Sequence, residues 1–205
     1  MNYASLAFTD AVRDMQEKLG SRKSYARLEG RSYVDGLTEN EISFISDRDS
    51  FYMASIGENG YPYIQHRGGP KGFIKVLNTK QLGFIDYKGN AQYITVGNIA
   101  THNNVALIMV DYPTRTRLKL YARARIVELG DDEALLAKLD LEGYEFRPER
   151  MMLFDVEAYD WNCQQHITPR YSLDEINKAF ASQRKYISQL EAEVKQLKEQ
   201  LAAGK

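Results

Sequence analysis

The chain has 205 residues, 43% of them hydrophobic and 27% charged, and a formal net charge of −1 from 27 Lys+Arg against 28 Asp+Glu. That length is ample for one globular domain with its own core, and the balanced charge excludes a protein that simply coats nucleic acid, which needs surplus cations. A single cysteine, Cys163, excludes an intrachain disulfide. No apolar run approaches the roughly 18 residues of a membrane span. The opening MNYASLAFTDAVRD lacks the basic and apolar regions of a secretory signal. A cytoplasmic protein is expected.

Leu6, Ala11, Val12, Met15 and Leu19 recur at helical spacing and predict an amphipathic opening helix over 6–19, closed by Gly20. Thr38 followed by Glu41 forms a capping box and predicts a short helix over 39–47. The period then becomes extended. Phe51 to Ile56 and Tyr61 to His66 read as strands joined by Glu58-Asn59-Gly60, and Asn-Gly predicts a type I′ hairpin with both central residues at positive φ. Further strands are expected at Gly72–Leu77, Leu82–Asp86, Val105–Asp111, Arg117–Glu128 and Met151–Tyr159. Helices are expected near 91–101, with Asn90 as a cap, and over 132–140, with Asp131 as a cap. Six or seven short strands with few helices indicate a mainly β chain, an antiparallel barrel or sandwich with flanking α-helices. In the tail, Phe180, Ile187, Val194 and Leu201 recur every seventh residue, with Gln183, Leu190 and Leu197 between them. This predicts a heptad helix over 171–205 that either pairs between chains or lies on its own domain.

Four segments carry candidate chemistry. Gln65-His66-Arg67-Gly68-Gly69-Pro70-Lys71-Gly72 joins an imidazole and two cations to glycines, which let a backbone approach an anion. Asp86-Tyr87-Lys88-Gly89-Asn90-Ala91-Gln92, running on to Asn98, is a strand end, a turn and a helix start, where free amides suit a phosphate. From Arg115 to Arg125, alternation sets Leu118, Leu120, Ala122 and Ala124 on one face and Arg115, Arg117, Lys119, Arg123 and Arg125 on the other. Tyr159 to Arg170 contains the one Trp, the one Cys, amides and His166, a set that suits a planar heteroaromatic ligand. His66, His102 and His166 are widely separated, with no HxH, HExxH or CxxC spacing, so no metal site is expected. Cys163 and His166 lack a third orienting group for nucleophilic chemistry.

In order and spacing these segments resemble the pyridoxamine 5′-phosphate oxidase-like FMN-binding split-barrel family. The likeness is carried by FYMASIGENGYPYIQHRGGPKGF, GFIDYKGNAQYITVGNI, VALIMVDYPTRTRLKLYARARIVEL and DWNCQQHITPR, over roughly residues 38–170. It points to a branch carrying HRGG, DYxGN and WNCxQHI rather than to the vitamin-synthesising oxidase itself. The resemblance implies a split β-barrel over 38–170, an N-terminal helical segment over 1–37 and a C-terminal helix over 171–205. It implies FMN as cofactor, a small-molecule substrate, and a homodimer with the flavin near its interface, without nucleic-acid or membrane partners. His66 and Arg67, and more weakly Lys71, fall where the family supplies a cation to the phosphate. Ile85, Asp86, Tyr87, Asn90, Gln92 and Asn98 fall where it holds the phosphate and one flavin edge. Arg117 replaces a flavin-contacting glutamine. Trp161, Gln165 and His166 fall in the closing segment, and His166 and Arg170 are substrate-side candidates. The oxidase's Arg-x-Val-x-Leu-Lys pattern is replaced here by Gln65 to Pro70, and its Ser-Arg-Lys turn by Asn90-Ala91-Gln92. Vitamin phosphate oxidation is therefore not expected. The leading expectation is an oxidoreductase. The rivals are a non-catalytic flavin or tetrapyrrole binder or redox sensor, and an interaction protein using the basic face and tail.

Overall fold

The computed structural model describes residues 1–30, 35–161 and 165–203. Three short helices open the chain: α1 (Tyr3–Ala7), α2 (Asp10–Lys18) and α3 (Arg22–Glu29). The expected single helix over 6–19 is thus broken. Phe8 leaves helical dihedrals (φ −96°, ψ 78°) and its ring packs edge-on against Tyr25 at 5.3 Å, while extended Thr9 caps the next helix. Gly20 does close α2, left-handed at φ +77°.

α4 (Glu39–Ser46) starts on the Thr38/Glu41 capping box. β1 (Ser50–Ile56) and β2 (Pro62–Gly68) form the predicted hairpin, with Ile56 opposite Pro62. The turn is not type I′. Gly60 alone among its residues is left-handed (φ +80°), and its N–H donates to the Gly57 carbonyl at 2.8 Å. The loop therefore has three residues, in which a bulge glycine needs positive φ and Asn59 does not.

β3 (Lys75–Asn78), β4 (Gln81–Tyr87), α5 (Ile94–Thr101), β5 (Asn104–Asp111) and β6 (Thr116–Glu128) follow. α6 (Glu133–Leu139) and β7 (Pro148–Trp161) complete the barrel region. Asp132, not Asp131, caps α6 by accepting from Leu135 N–H at 2.8 Å. α5 begins later than expected because Ala91 and Tyr93 are left-handed, at φ 58° and 53°. Asn90 instead closes a local turn, its Oδ1 accepting from Gln92 N–H at 3.2 Å.

The seven strands form one antiparallel sheet in the order β2-β1-β5-β6-β7-β4-β3. Apolar alternation explains the register: Leu118, Leu120, Ala122 and Ala124 of β6 are buried, while Arg123 and Arg125 are exposed. The sheet curls around Phe51 on β1, Phe73, Phe84 on β4 and Phe154 on β7, whose rings lie 5.6–6.2 Å apart. The curl brings β2 to β4, with four strands between them in the sheet, and no ladder joins the two among the described residues. The barrel is split at this seam. Outside it, α6 covers Ile85, Met151 and Leu153 through Leu139, and α1 lies on β6, with Tyr3 stacked on Tyr121 at 5.4 Å.

The tail is α7 (Leu173–Ala179) and α8 (Ala181–Ala203). Ser172 and Glu175 form the capping box that starts α7. Phe180 caps α7, so the heptad helix proper begins after it.

Candidate functional site

Strand parity selects the side chains that face the seam. Along β2, Tyr63, Gln65 and Arg67 point inward and alternate with exposed Ile64 and His66. On β4, Asp86 is buried on the same side as Phe84. Arg67 Nη1 lies 2.7 Å from Asp86 Oδ1 and closes the seam where backbone pairing does not. β7 adds Arg150, opposite Asp86 in register, with Nη1 3.1 Å from Asp86 Oδ2. One carboxylate thus orients two guanidiniums. Burial alone would lower the Arg150 pKa, but the hydrogen bond and charge of Asp86, with Glu149, hold it above its ordinary value. Arg150 Nη2 also pairs with Glu149 at 3.1 Å, and Glu149 accepts from the Tyr93 hydroxyl at 3.1 Å.

These residues wall a cleft of about 260 Å3 together with Tyr87, Gly89, Asn90, Gln92 and the start of α5, residues 94–96. Left-handed Ala91 and Tyr93 turn the chain sharply into that helix. Such conformations cost about 1 kcal/mol each in non-glycine residues and are often retained at binding sites. The first amides of α5 have no intrahelical acceptors. Thr95 Oγ1 donates to Gln65 Oε1 at 2.8 Å, which fixes the helix start to β2. One buried polar atom here lacks a partner, Arg67 Nε. The Tyr87 ring turns to the other face of β4, against Tyr144 at 5.4 Å and Phe146 at 6.1 Å in the cluster that α6 covers, where burial, chiefly, raises its pKa. An unused buried donor beside oriented guanidiniums and free helix amides suits an anionic oxygen cluster such as a phosphate. The described residues hold no group of three His, Cys, Asp or Glu placed to bind a metal.

The structure therefore brings Arg67, Asp86, Tyr87, Asn90 and Gln92 together. His66 lies on the opposite face of β2, exposed and edge-on to Tyr52 at 5.4 Å. Ile85 faces α6, in the second core cluster. Asn98 is buried and donates to Ser55 Oγ at 2.9 Å, tying α5 to β1. Exposed Lys71 pairs with Asp47 at 3.0 Å.

A second group lies at the far end of the sheet. Trp161 is eleven residues beyond Arg150 on β7, up to roughly 36 Å along the strand. Its Nε1 donates to Glu41 Oε1 at 2.6 Å and its ring sits edge-on to Phe44 at 4.8 Å. Burial pushes the Glu41 pKa up, but hydrogen bonds from Thr38 and Trp161 outweigh it and hold the carboxyl below its ordinary range. Burial and that same carboxylate push the Tyr159 phenol up to about 12. Arg117 starts β6 at this end, half-buried, with Nε unpartnered. Arg170 lies over the Tyr112 ring at 5.1 Å, and Gln165 and His166 are exposed, the latter left-handed at φ 64°. Cys163 lies outside the described residues.

Sequence reasoning missed Arg150, Glu149, Thr95 and Tyr63 as cleft residues, and it included Gln65 and Tyr93 in candidate segments without giving them a role. The period-two parity of Arg67 was enough to find Gln65 and Tyr63. Arg150 carried no local signal, because only the β4–β7 register sets it against Asp86.

An open antiparallel barrel with an arginine-lined cleft at its seam defines a split barrel. A family model described as Pyridoxamine 5′-phosphate oxidase matches residues 37–160, more than half of the chain, and the chain belongs to this family. No curated protein sequence matches it. Among solved structures, HupZ of Group A Streptococcus is 16% identical, with a TM-score of 0.50 over 66% of this chain and 99% of its own. A candidate pyridoxamine 5′-phosphate oxidase of Lactobacillus delbrueckii is 23% identical, with a TM-score of 0.49 over 63% and 97%. An FMN-binding protein of Syntrophomonas wolfei is 14% identical, with a TM-score of 0.48 over 73% and 97%. The likeness to HupZ is one of fold. No helix among the described residues is long and apolar enough to cross a membrane.

Proposed function

We propose that the chain is a homodimeric FMN-binding oxidoreductase that acts on a small substrate in the cytoplasm. The observation that carries this reading is Arg67: its Nε is buried without an acceptor, its Nη1 is fixed by Asp86, and it faces the start of α5. Arg67, Arg150 and the α5 amides would receive the phosphate, with Asp86 orienting both guanidiniums rather than meeting the ligand. The amides of Asn90 and Gln92 supply further hydrogen-bonding groups along the cleft wall. FMN, when bound, supplies the hydride and electron chemistry, while the protein sets its orientation and potential. Flavin binding in the pyridoxamine 5′-phosphate oxidase family supports this choice of cofactor.

At about 260 Å3 the cleft is smaller than the 300–1,000 Å3 typical of a complete ligand site. One chain holds the phosphate-side residues here and Arg117, Trp161, Gln165, His166 and Arg170 at the opposite end. A second copy that brings its β6–β7 end to the cleft would join the two groups over one flavin. In that arrangement Arg117 would stabilise negative charge on the ring, and His166 and Arg170 would face substrate.

The test is a visible absorption spectrum of the untagged protein, with and without added FMN, followed by titration of Arg67→Ala. A flavin spectrum that survives gel filtration, and affinity at least about tenfold weaker in the variant, is expected for loss of a charge-assisted phosphate contact. Unchanged affinity removes Arg67 from the phosphate site. A Soret-like band instead of a flavin spectrum replaces FMN by a tetrapyrrole. Repeated turnovers with NAD(P)H and an acceptor separate an enzyme from a binder.

A further inference from the structure

Every described residue of α8 is exposed, including Ile187 at 52%, Leu190 at 41%, Val194 at 48% and Leu197 at 51%. With Leu201 these side chains recur at heptad a and d positions, so they form one stripe along a 23-residue helix. Polar residues cover the rest of the helix, and such a stripe is stable in water only when something covers it. We infer that α8 pairs with α8 of a second copy of this chain, as a parallel, in-register, two-stranded coiled coil. This inference stands independently of the flavin site.

The residues on the stripe choose both the occupant and its direction. β-branched Ile187 and Val194 at a, with Leu190 and Leu197 at d, is the combination that favours parallel dimers. The flanking e positions are Arg184, Glu191 and Lys198, and the g positions are Tyr186, Glu193 and Gln200. In a parallel pair, g faces e of the following heptad, so Glu193 meets the partner's Lys198 twice by symmetry. Nowhere along that pair do like charges face each other. In an antiparallel pair e faces e and g faces g. Full overlap then sets Glu191 against the partner's Glu191, Arg184 against the partner's Lys198, and Glu193 against the partner's Glu193. All three contacts are repulsive. Sliding the antiparallel pair by one heptad relieves the repulsion but leaves Ile187 or Leu201 with no facing residue in α8. Only the parallel register buries the whole stripe and pairs its charges.

Gln183, at the first d position, would face the partner's Gln183 and mark the register, as single polar core residues do. Parallel in-register pairing also has a two-fold along the helix axis, which is compatible with a closed two-fold dimer of barrels. Three heptads alone are marginal, so pairing rises with concentration, and association of the barrels would strengthen it through tethering.

Disulfide trapping in the full-length chain tests direction and pairing together. In a Cys163→Ser background, Gln183→Cys is expected to give a covalent dimer on mild oxidation. An equimolar mixture of Gln183→Cys and Leu201→Cys chains is expected to give only like-with-like links. In a parallel pair those two positions are eighteen residues apart, roughly 27 Å. Predominant mixed linkage shows antiparallel pairing and overturns the inference, as does no linkage at all. Glu193→Lys should lower the trapped yield in proportion to a roughly fivefold weaker pairing constant, the scale of two exposed ion pairs. Adding Lys198→Glu to the same chain should restore it. An unpaired helix would respond to neither change, and that result would also overturn the inference.

Discussion

Two buried carboxylates tie distant parts of this chain together, and they do so differently. Glu41, at the start of α4, receives the Thr38 N–H at 2.8 Å and the Trp161 indole at 2.6 Å, and neither it nor these donors is left unpartnered. Asp86, at the seam, receives Arg67 and Arg150, and Arg67 keeps a buried donor without an acceptor beside an open cleft. A satisfied cluster of neutral donors fastens a helix to a strand. A cluster of cations with an unused donor is prepared for a further anion. The cations on the outer face of β6 form a third case: Arg123 is 61% exposed and pairs locally with Glu157.

The sharpest way to break this comparison is Asp86→Ala. It removes the carboxylate from Arg67 and one of the two from Arg150, each arginine 14% exposed, and a loss of about 3 kcal/mol is expected by thermal or urea denaturation. Added FMN should recover part of the loss, because its phosphate replaces the missing anion. A loss no larger than that of a surface substitution would remove Asp86 as the organising group.

Glu41→Gln should cost less, about 1–3 kcal/mol, because an amide NH2 would be set against donors that need an acceptor. Its effect depends on pH in a defined sense. The folded-state pKa of Glu41 lies below the ordinary 4.5, so its contribution is full above pH 4.5 and is lost as pH falls through the folded value. Denaturation curves of wild type and Glu41→Gln should therefore be well separated at neutral pH and converge on acidification. FMN affinity should not change. A large fall in flavin affinity would mean that the α4 corner takes part in the site.

The smallest expected effect is that of Arg123→Ala. An exposed ion pair contributes about 0–1 kcal/mol, so stability should stay within about 0.5 kcal/mol and flavin affinity should be unchanged. A clear loss of affinity would draw the β6 face into ligand binding.

Much of the fold was legible because local rules set it. The Thr38/Glu41 box, the β1–β2 hairpin, the alternation of β6 and the heptads of α8 each lie within one short segment. Local rules also explain the departures. Phe8 turned out of the helical path to reach Tyr25, and Ala91 and Tyr93 adopted a left-handed conformation that their residue types do not announce. The candidate site was half legible. Arg67 and the Asp86 to Gln92 segment stood out through charge and turn chemistry. His66 was grouped with Arg67 because they are adjacent, yet neighbours on a strand face opposite sides.

By itself, the sequence determined the mainly antiparallel β architecture, the family and the stripe on the terminal helix, because periodicity and capping act between residues a few positions apart. Only the tertiary structure decided which residues meet at the seam. Arg67, Asp86 and Arg150 are separated by 19 and 64 residues along the chain. What joins them is the curl of the sheet and the β4–β7 register. That geometry comes from burying four phenylalanine rings inside one barrel, a collective packing solution that no short segment encodes.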